Sequence, residues 1–160
     1  MTDPAAVARL AAGHDAAVVP VFDRASVPGE FFPAVARALA EGLPAAGVRR
    51  LVAVGLASVL PTATGALLMD SPGYPQEWRE FYVAHGAGTE ALRAAAPEAL
   101  DWLVLSPSGD FDHTGPGAGG YVLAPADAEA RITPGDFARA VVEEAGAPSL
   151  RRAHAGVTSA

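Results

Sequence analysis

Two short apolar runs bracket an amphipathic segment between residues 15 and 56, and that succession leaves few folds open. Asp15-Ala-Ala-Val-Val-Pro-Val-Phe22, bounded by His14 and Asp23, has the length and composition of a buried strand, although Pro20 weakens the assignment. After Pro28-Gly29, the residues Phe31, Phe32, Val35, Leu39 and Leu43 recur on one helical face, and Gly47 ends the segment. Arg49-Arg50 then leads into Leu51-Val-Ala-Val-Gly-Leu56, a second run of strand length. Strand, helix and strand with short joints make a βαβ unit. Its two strands are expected to be parallel, because the crossover returns the chain to the end of the sheet where it started.

The remainder extends this alternation. An alanine-rich helical stretch ends between Leu10 and Gly13, ahead of the first strand. Residues 57–74, rich in Ser, Pro, Thr and Gly, read as a long loop over the carboxyl end of the sheet, the place where such loops carry function. Glu77 to Ala96 is helical, with Gly86 and Gly88 loosening its middle. Asp101 to Ser106 is a third buried strand, Tyr121 to Leu123 a short one, and His154 to Val157 a terminal one. Thr133 caps a last helix that starts at Pro134 and runs to about Ala145. The expected fold is α/β, a partial Rossmann-like parallel sheet with helices on both faces, in a single domain over residues 1–160.

Composition restricts the partners. With 18 acidic residues against 11 basic ones and a formal net charge of −7, the chain lacks the clustered positive charge that tracks phosphates, so no nucleic acid is expected. All the basic residues are arginine, and the missing lysine removes Schiff-base chemistry and any lysine-assisted tyrosine acid. Without cysteine there are no disulfides or thiol nucleophiles, which favours a reducing compartment. Met1-Thr-Asp-Pro4 has no signal-like character and no run approaches the ~18 apolar residues of a spanning helix, so the reading is a cytoplasmic protein off the membrane. Gly115-Pro-Gly-Ala-Gly119 lies in a late loop with a proline inside it, unlike a phosphate cradle between strand and helix. Asp110, Asp112 and His113 sit close together with no distant fourth ligand, so no metal is expected.

Five segments together resemble a known group: Asp3 to Val19, Val48 to Ser58, Asp70-Ser-Pro-Gly-Tyr-Pro-Gln-Glu-Trp78, Leu100-Asp-Trp-Leu-Val-Leu-Ser-Pro-Ser108 and Arg131-Ile-Thr-Pro-Gly-Asp-Phe-Ala138. Their order and spacing are similar to atypical short-chain dehydrogenases/reductases, and within these to the NmrA-like NAD(P)H-binding proteins that include flavin and biliverdin-IX-beta reductases. The family opens with a strand, a G-x-x-G-x-x-G turn, a helix and two more strands. This chain begins just before the family's fourth strand and so resembles roughly the C-terminal two-thirds to three-quarters of such a protein, without the pyrophosphate cradle. A fragment or misassigned start, a half supplied by another chain, and a lost dinucleotide each account for the departure. An exposed apolar sheet edge makes a homo-oligomer or a complementing chain the expected partner.

The resemblance implies NAD(P)H as cofactor, a small-molecule substrate with flavin among the candidates, and a set of site residues. Ser58, just past the second strand, matches a serine beside the nicotinamide and could donate to a flavin or carbonyl oxygen; a loop-capping serine is the plain alternative. Val21 and Phe22 match the loop that contacts the ribose and nicotinamide, or are core and turn. Ser106, Pro107 and Ser108 match the turn that lines the nicotinamide side. His113 is a candidate general acid or a solvated loop residue. Tyr82 has Gly86, not lysine, four residues on, so nothing lowers its phenol toward an acid's range. The expected activity is hydride transfer from NAD(P)H to a planar acceptor, as in flavin reductases. The alternative is a degenerate, non-catalytic module that binds a small molecule or a protein.

Overall fold

The computed structural model describes residues 1–160. Asp3 caps α1 (Pro4–Ala11), its carboxylate accepting from the Ala5 N–H at 2.9 Å. Strand β1 (Ala16–Val19) stops at Pro20, which has no N–H for a further ladder step, so it is shorter than the apolar run that encodes it. Helix α2 (Pro28–Ala45) and strand β2 (Arg50–Val54) complete the βαβ unit. Two 3₁₀ turns, Ala57–Val59 and Leu68–Asp70, punctuate the following loop.

Helix α3 (Arg79–Ala95) is unbroken. Gly88, which reads as a loosening residue, is a contact point: a Cβ there would lie 2.8 Å from Phe32 Cβ, so its bareness lets α3 approach α2. Strand β3 (Asp101–Pro107), the two-residue strand β4 (Asp110–Phe111), β5 (Tyr121–Leu123), β6 (Arg131–Ile132), α4 (Pro134–Gly146) and β7 (Ala153–Ser159) follow. The main sheet runs β1-β2-β3-β7-β5, with its first four strands parallel and β5 antiparallel to β7. β4 and β6 form a separate parallel pair beyond its carboxyl edge.

Strand alternation divides the core in two. Leu51, Trp102 and Val104 face α1, α2 and α3, whereas Val52, Leu103 and Leu105, with Val157 of β7, face Phe137 and Ala140 of α4. The helices therefore cover both faces. No helix is long and apolar enough to cross a membrane. β1 pairs only with β2, and its outer side opens on a groove where Met1, Leu10 and Val18 are 48%, 70% and 45% exposed, so the apolar edge expected from the sequence is present. At the opposite end of the strands from the carboxyl edge, Arg50 is buried and donates to the Glu144 carboxylate and to the carbonyls of Glu144 and Leu150, each at 3.0 Å.

Candidate functional site

Parallel strands deliver their following loops to one edge, and here those loops enclose a cavity of about 690 Å³. Its floor comes from the ends of β2 and β3, with Gly55, Ser58 and Pro107. One wall is the turn from Ser71 to Pro75; just ahead of it the Met69 carbonyl accepts from Gln76 Nε2 at 2.9 Å and from Arg79 Nη1, at the start of α3, at 3.2 Å. Tyr74 and Tyr82 meet edge to face on this wall, ring centres 5.6 Å apart. The facing wall is Asp110, Phe111, Glu129 and Arg131. Gly109 makes that wall feasible: any Cβ there would lie 2.5 Å from the Asp127 carbonyl, so only glycine lets the β3–β4 turn pass so close.

The electrostatics are sparse. Ser58 lines the cavity but is only 2% exposed, and its Oγ is buried with no hydrogen-bond partner. A buried hydroxyl in that condition costs free energy unless something arriving satisfies it. Burial pushes both phenols above their ordinary range, with Tyr82 and Asp110 adding to the effect on Tyr74 and Glu77 to that on Tyr82. Neither is poised to release a proton near neutrality. Arg131, the one base in the wall, donates to the carbonyls of Ala128 and Ala130, both at 2.8 Å.

Behind the floor lies a second arrangement. Ser106 Oγ and His154 Nε2 are hydrogen-bonded at 2.9 Å, and a Cβ on Gly55 would collide with Ser106 Oγ and lie 3.1 Å from His154 Nε2. His85 shares that face of the sheet, its ring 4.4 Å from that of Phe32. Burial pulls both histidines down to about 4, and in His154 the neighbouring His85 and Arg93 add to the effect.

Of the residues singled out from the sequence, Ser58 and Pro107 share the cavity. The side chains of Ser106 and Ser108 are fully buried and engaged internally, Ser106 with His154 and Ser108 with the Ala124 carbonyl at 2.9 Å. Val21 borders a separate narrow apolar cleft with Phe32 and His85. Phe22 is 47% exposed and packs against Phe81, ring centres 5.1 Å apart. His113 lies in an exposed loop with its ring 6.1 Å from Phe111, outside the cavity wall. Tyr74, Phe111, Glu129 and Arg131 are wall residues that sequence reasoning missed. Only the position of Tyr74 in the long loop over the carboxyl edge hinted at a role.

The cofactor implied by the sequence resemblance fits this site at one end. The orphaned Ser58 hydroxyl and the aromatic wall suit a nicotinamide ring and its carboxamide. The pyrophosphate end does not fit. Where a strand leads into a helix, the first helical turn carries an acid: Glu30 in α2, Glu80 in α3 and Asp136 in α4. α2 also begins with Pro28, which has no N–H to offer. A phosphate favours a helix N-terminus whose N–H groups are free and whose dipole is uncompensated, and none of the three provides that.

Comparison with known proteins agrees with this architecture. A protein of Burkholderia pseudomallei assigned as exported superposes with a TM-score of 0.82 at 28% identity, over 98% of this chain and 77% of its own. A Streptococcus pneumoniae protein assigned as an NADH-flavin reductase superposes at 0.71 with 23% identity, over 92% and 73% of the two chains. A short-chain dehydrogenase/reductase from Veillonella parvula, solved in complex with NADP, superposes at 0.67 with 14% identity, over 98% and 68%. Among curated proteins none matches the chain. The sequence matches the NAD(P)H-binding family over residues 1–148, nearly its whole length, and the chain belongs to that family.

Proposed function

We propose that this chain is an NAD(P)H-dependent reductase of the NmrA-like, flavin-reductase type, passing hydride to a planar acceptor in the carboxyl-edge cavity. The observation that carries the reading is the buried, partnerless hydroxyl of Ser58, a residue that lines that cavity. Reduced nicotinamide supplies the hydride when bound. Ser58 donates to the carboxamide or to the acceptor oxygen on which charge develops, Tyr74 and Tyr82 form a flat wall, and Pro107 limits the floor. With both phenols pushed up and no lysine beside Tyr82, solvent supplies the proton. A chain that consumes reduced nicotinamide fits the cytoplasm.

Ser58→Ala is expected to lower flavin-dependent NADPH oxidation on the order of 10²-fold, as loss of a preorganised donor does, with thermal stability retained. Steady-state kinetics beside a thermal melt check this, and undiminished turnover in the variant would remove Ser58 from the site. A second reading, a binding module without redox chemistry, is favoured by the acids at the helix starts; it expects saturable ligand binding with no NADPH oxidation at all.

The uncovered β1 edge supports assembly with a second copy of this chain. Ala16 to Val19 carry no charge, and an antiparallel pairing about a two-fold axis would set the Met1–Leu10 groove of each copy against that of the other. Val18→Lys is expected to convert dimer to monomer in sedimentation velocity, and a wild-type chain monomeric at high concentration would refute the pairing.

A further inference from the structure

We infer that the acceptor side of this cavity selects an uncharged planar substrate, so that a flavin without a phosphate is reduced in preference to the same ring carrying one. The inference rests on the reductase reading above and names the substrate class of that site.

The two walls of the cavity differ in chemistry. Tyr74 and Tyr82 give one of them two aromatic rings, and the buried Ser58 hydroxyl nearby is without a partner. A flat ring system fits that side. What the ring carries then meets the facing wall, whose charged residues are Asp110, Glu129 and Arg131. The arginine does not make this wall positive. β4 and β6 pair in parallel with Asp110 opposite Arg131, so the two side chains leave the same face of the pair. Arg131 Nη1 is held by the carbonyls of Ala128 and Ala130. Asp112 stands next along the chain, its carboxylate accepting from the Thr114 hydroxyl at 2.6 Å and the Thr114 N–H at 2.8 Å. Those bonds hold it below the ordinary carboxylate range, with His113 and Arg131 adding to the effect. One guanidinium is therefore set among three carboxylates. Burial raises the Tyr74 phenol most, and Tyr82 and Asp110 add to it, so the charge of Asp110 is felt across the cavity. A phosphomonoester, carrying a charge of about −1.5 to −2 at neutral pH, is repelled by such a wall, whereas a sugar-alcohol hydroxyl donates to it. Asp110, Glu129 and Arg131 are exposed, so the discrimination is moderate and weakens with salt.

The test compares riboflavin with FMN as acceptors for the full chain. The two share one ring system, and NADPH is common to both assays, so its own charge cancels from the ratio. In each case the flavin ring takes up a hydride from the reduced nicotinamide and a proton from solvent, leaving dihydroflavin and oxidised nicotinamide. kcat/KM for riboflavin is expected to exceed that for FMN by about 10-fold at low ionic strength, and by no more than about 3-fold at about 0.5 M sodium chloride. Glu129→Gln is expected to narrow the low-salt ratio and Arg131→Gln to widen it, each by about 3-fold, opposite directions that a general loss of structure does not produce. FMN reduced as well as riboflavin, or a preference that salt leaves unchanged, would overturn the inference and leave the reductase reading standing. No NADPH oxidation with either flavin would overturn both.

Discussion

Replacing Arg50 with leucine is expected to lower the free energy of unfolding by about 3–5 kcal/mol, a large part of what a domain of this size possesses. The physical reason is the charge left behind. Arg50 is 6% exposed, and its guanidinium holds Glu144, itself 5% exposed, and approaches Asp101 Oδ2 at 3.3 Å. It also satisfies two carbonyls at the end of α4 and in the turn after it. Glu144 keeps the N–H groups of Ser149 and Leu150 at 3.2 Å, yet without the arginine it remains a carboxylate in a nearly dry site. The double variant Arg50→Leu, Glu144→Leu is expected to recover only the part of the loss that comes from the unpaired Glu144 charge, because the carbonyls of Glu144 and Leu150 and the N–H groups of Ser149 and Leu150 still lose their side-chain partners. Urea unfolding of the three proteins checks this: the midpoint should fall in the single variant and return part of the way in the double with little change in slope. A loss below about 1 kcal/mol in Arg50→Leu would show that the network contributes no more than a surface pair.

The second large effect is on acid stability. His85 and His154 are both pulled from 6.5 to about 4 in the folded chain, chiefly by burial. The unfolded chain therefore binds protons between pH 6.5 and 4 that the folded chain refuses. Stability from these groups is fully present above pH 6.5 and declines as the pH falls toward 4, by about 3 kcal/mol per histidine from the size of the shifts. Unfolding free energies measured across that window should show an uptake approaching two protons. His85→Phe, which keeps an aromatic ring against Phe32 and Phe81, is expected to remove about one proton from the slope. A pH-independent stability between 6.5 and 4 would mean that both rings titrate in water as free histidines do.

Much of the fold was legible because it rests on periodicity. The spacing of Phe31 to Leu43 identified α2, the apolar runs identified β1, β2 and β3, and Thr133-Pro134 marked the start of α4 within a residue. What escaped depends on distant partners. The two-residue strands β4 and β6 exist only as a pair across 21 residues of chain, and nothing local distinguishes them from loop. The burial of Arg50 beside the exposed Arg49 follows from strand alternation, but its reason is a glutamate 94 residues away. The site divides in the same way. The strand-end position of Ser58 was visible, since loops leaving a parallel sheet gather at its carboxyl edge. Which of Ser106, Pro107 and Ser108 meets the cavity is a question of one-residue register, and only Pro107 does. His154 is visible in the sequence only as part of the terminal strand, because its partner Ser106 lies 48 residues earlier on the neighbouring strand.

The reductase reading requires a reduced nicotinamide beside Ser58 at the carboxyl edge of this sheet. The most direct measurement is a crystal structure of the full chain grown with saturating NADPH. Density for the nicotinamide is expected between the Tyr74–Tyr82 wall and Pro107, with its carboxamide within hydrogen-bond reach of Ser58 Oγ. A cavity filled by the chain's own side chains, or a nicotinamide bound on another face while Ser58 stays without a partner, would contradict it.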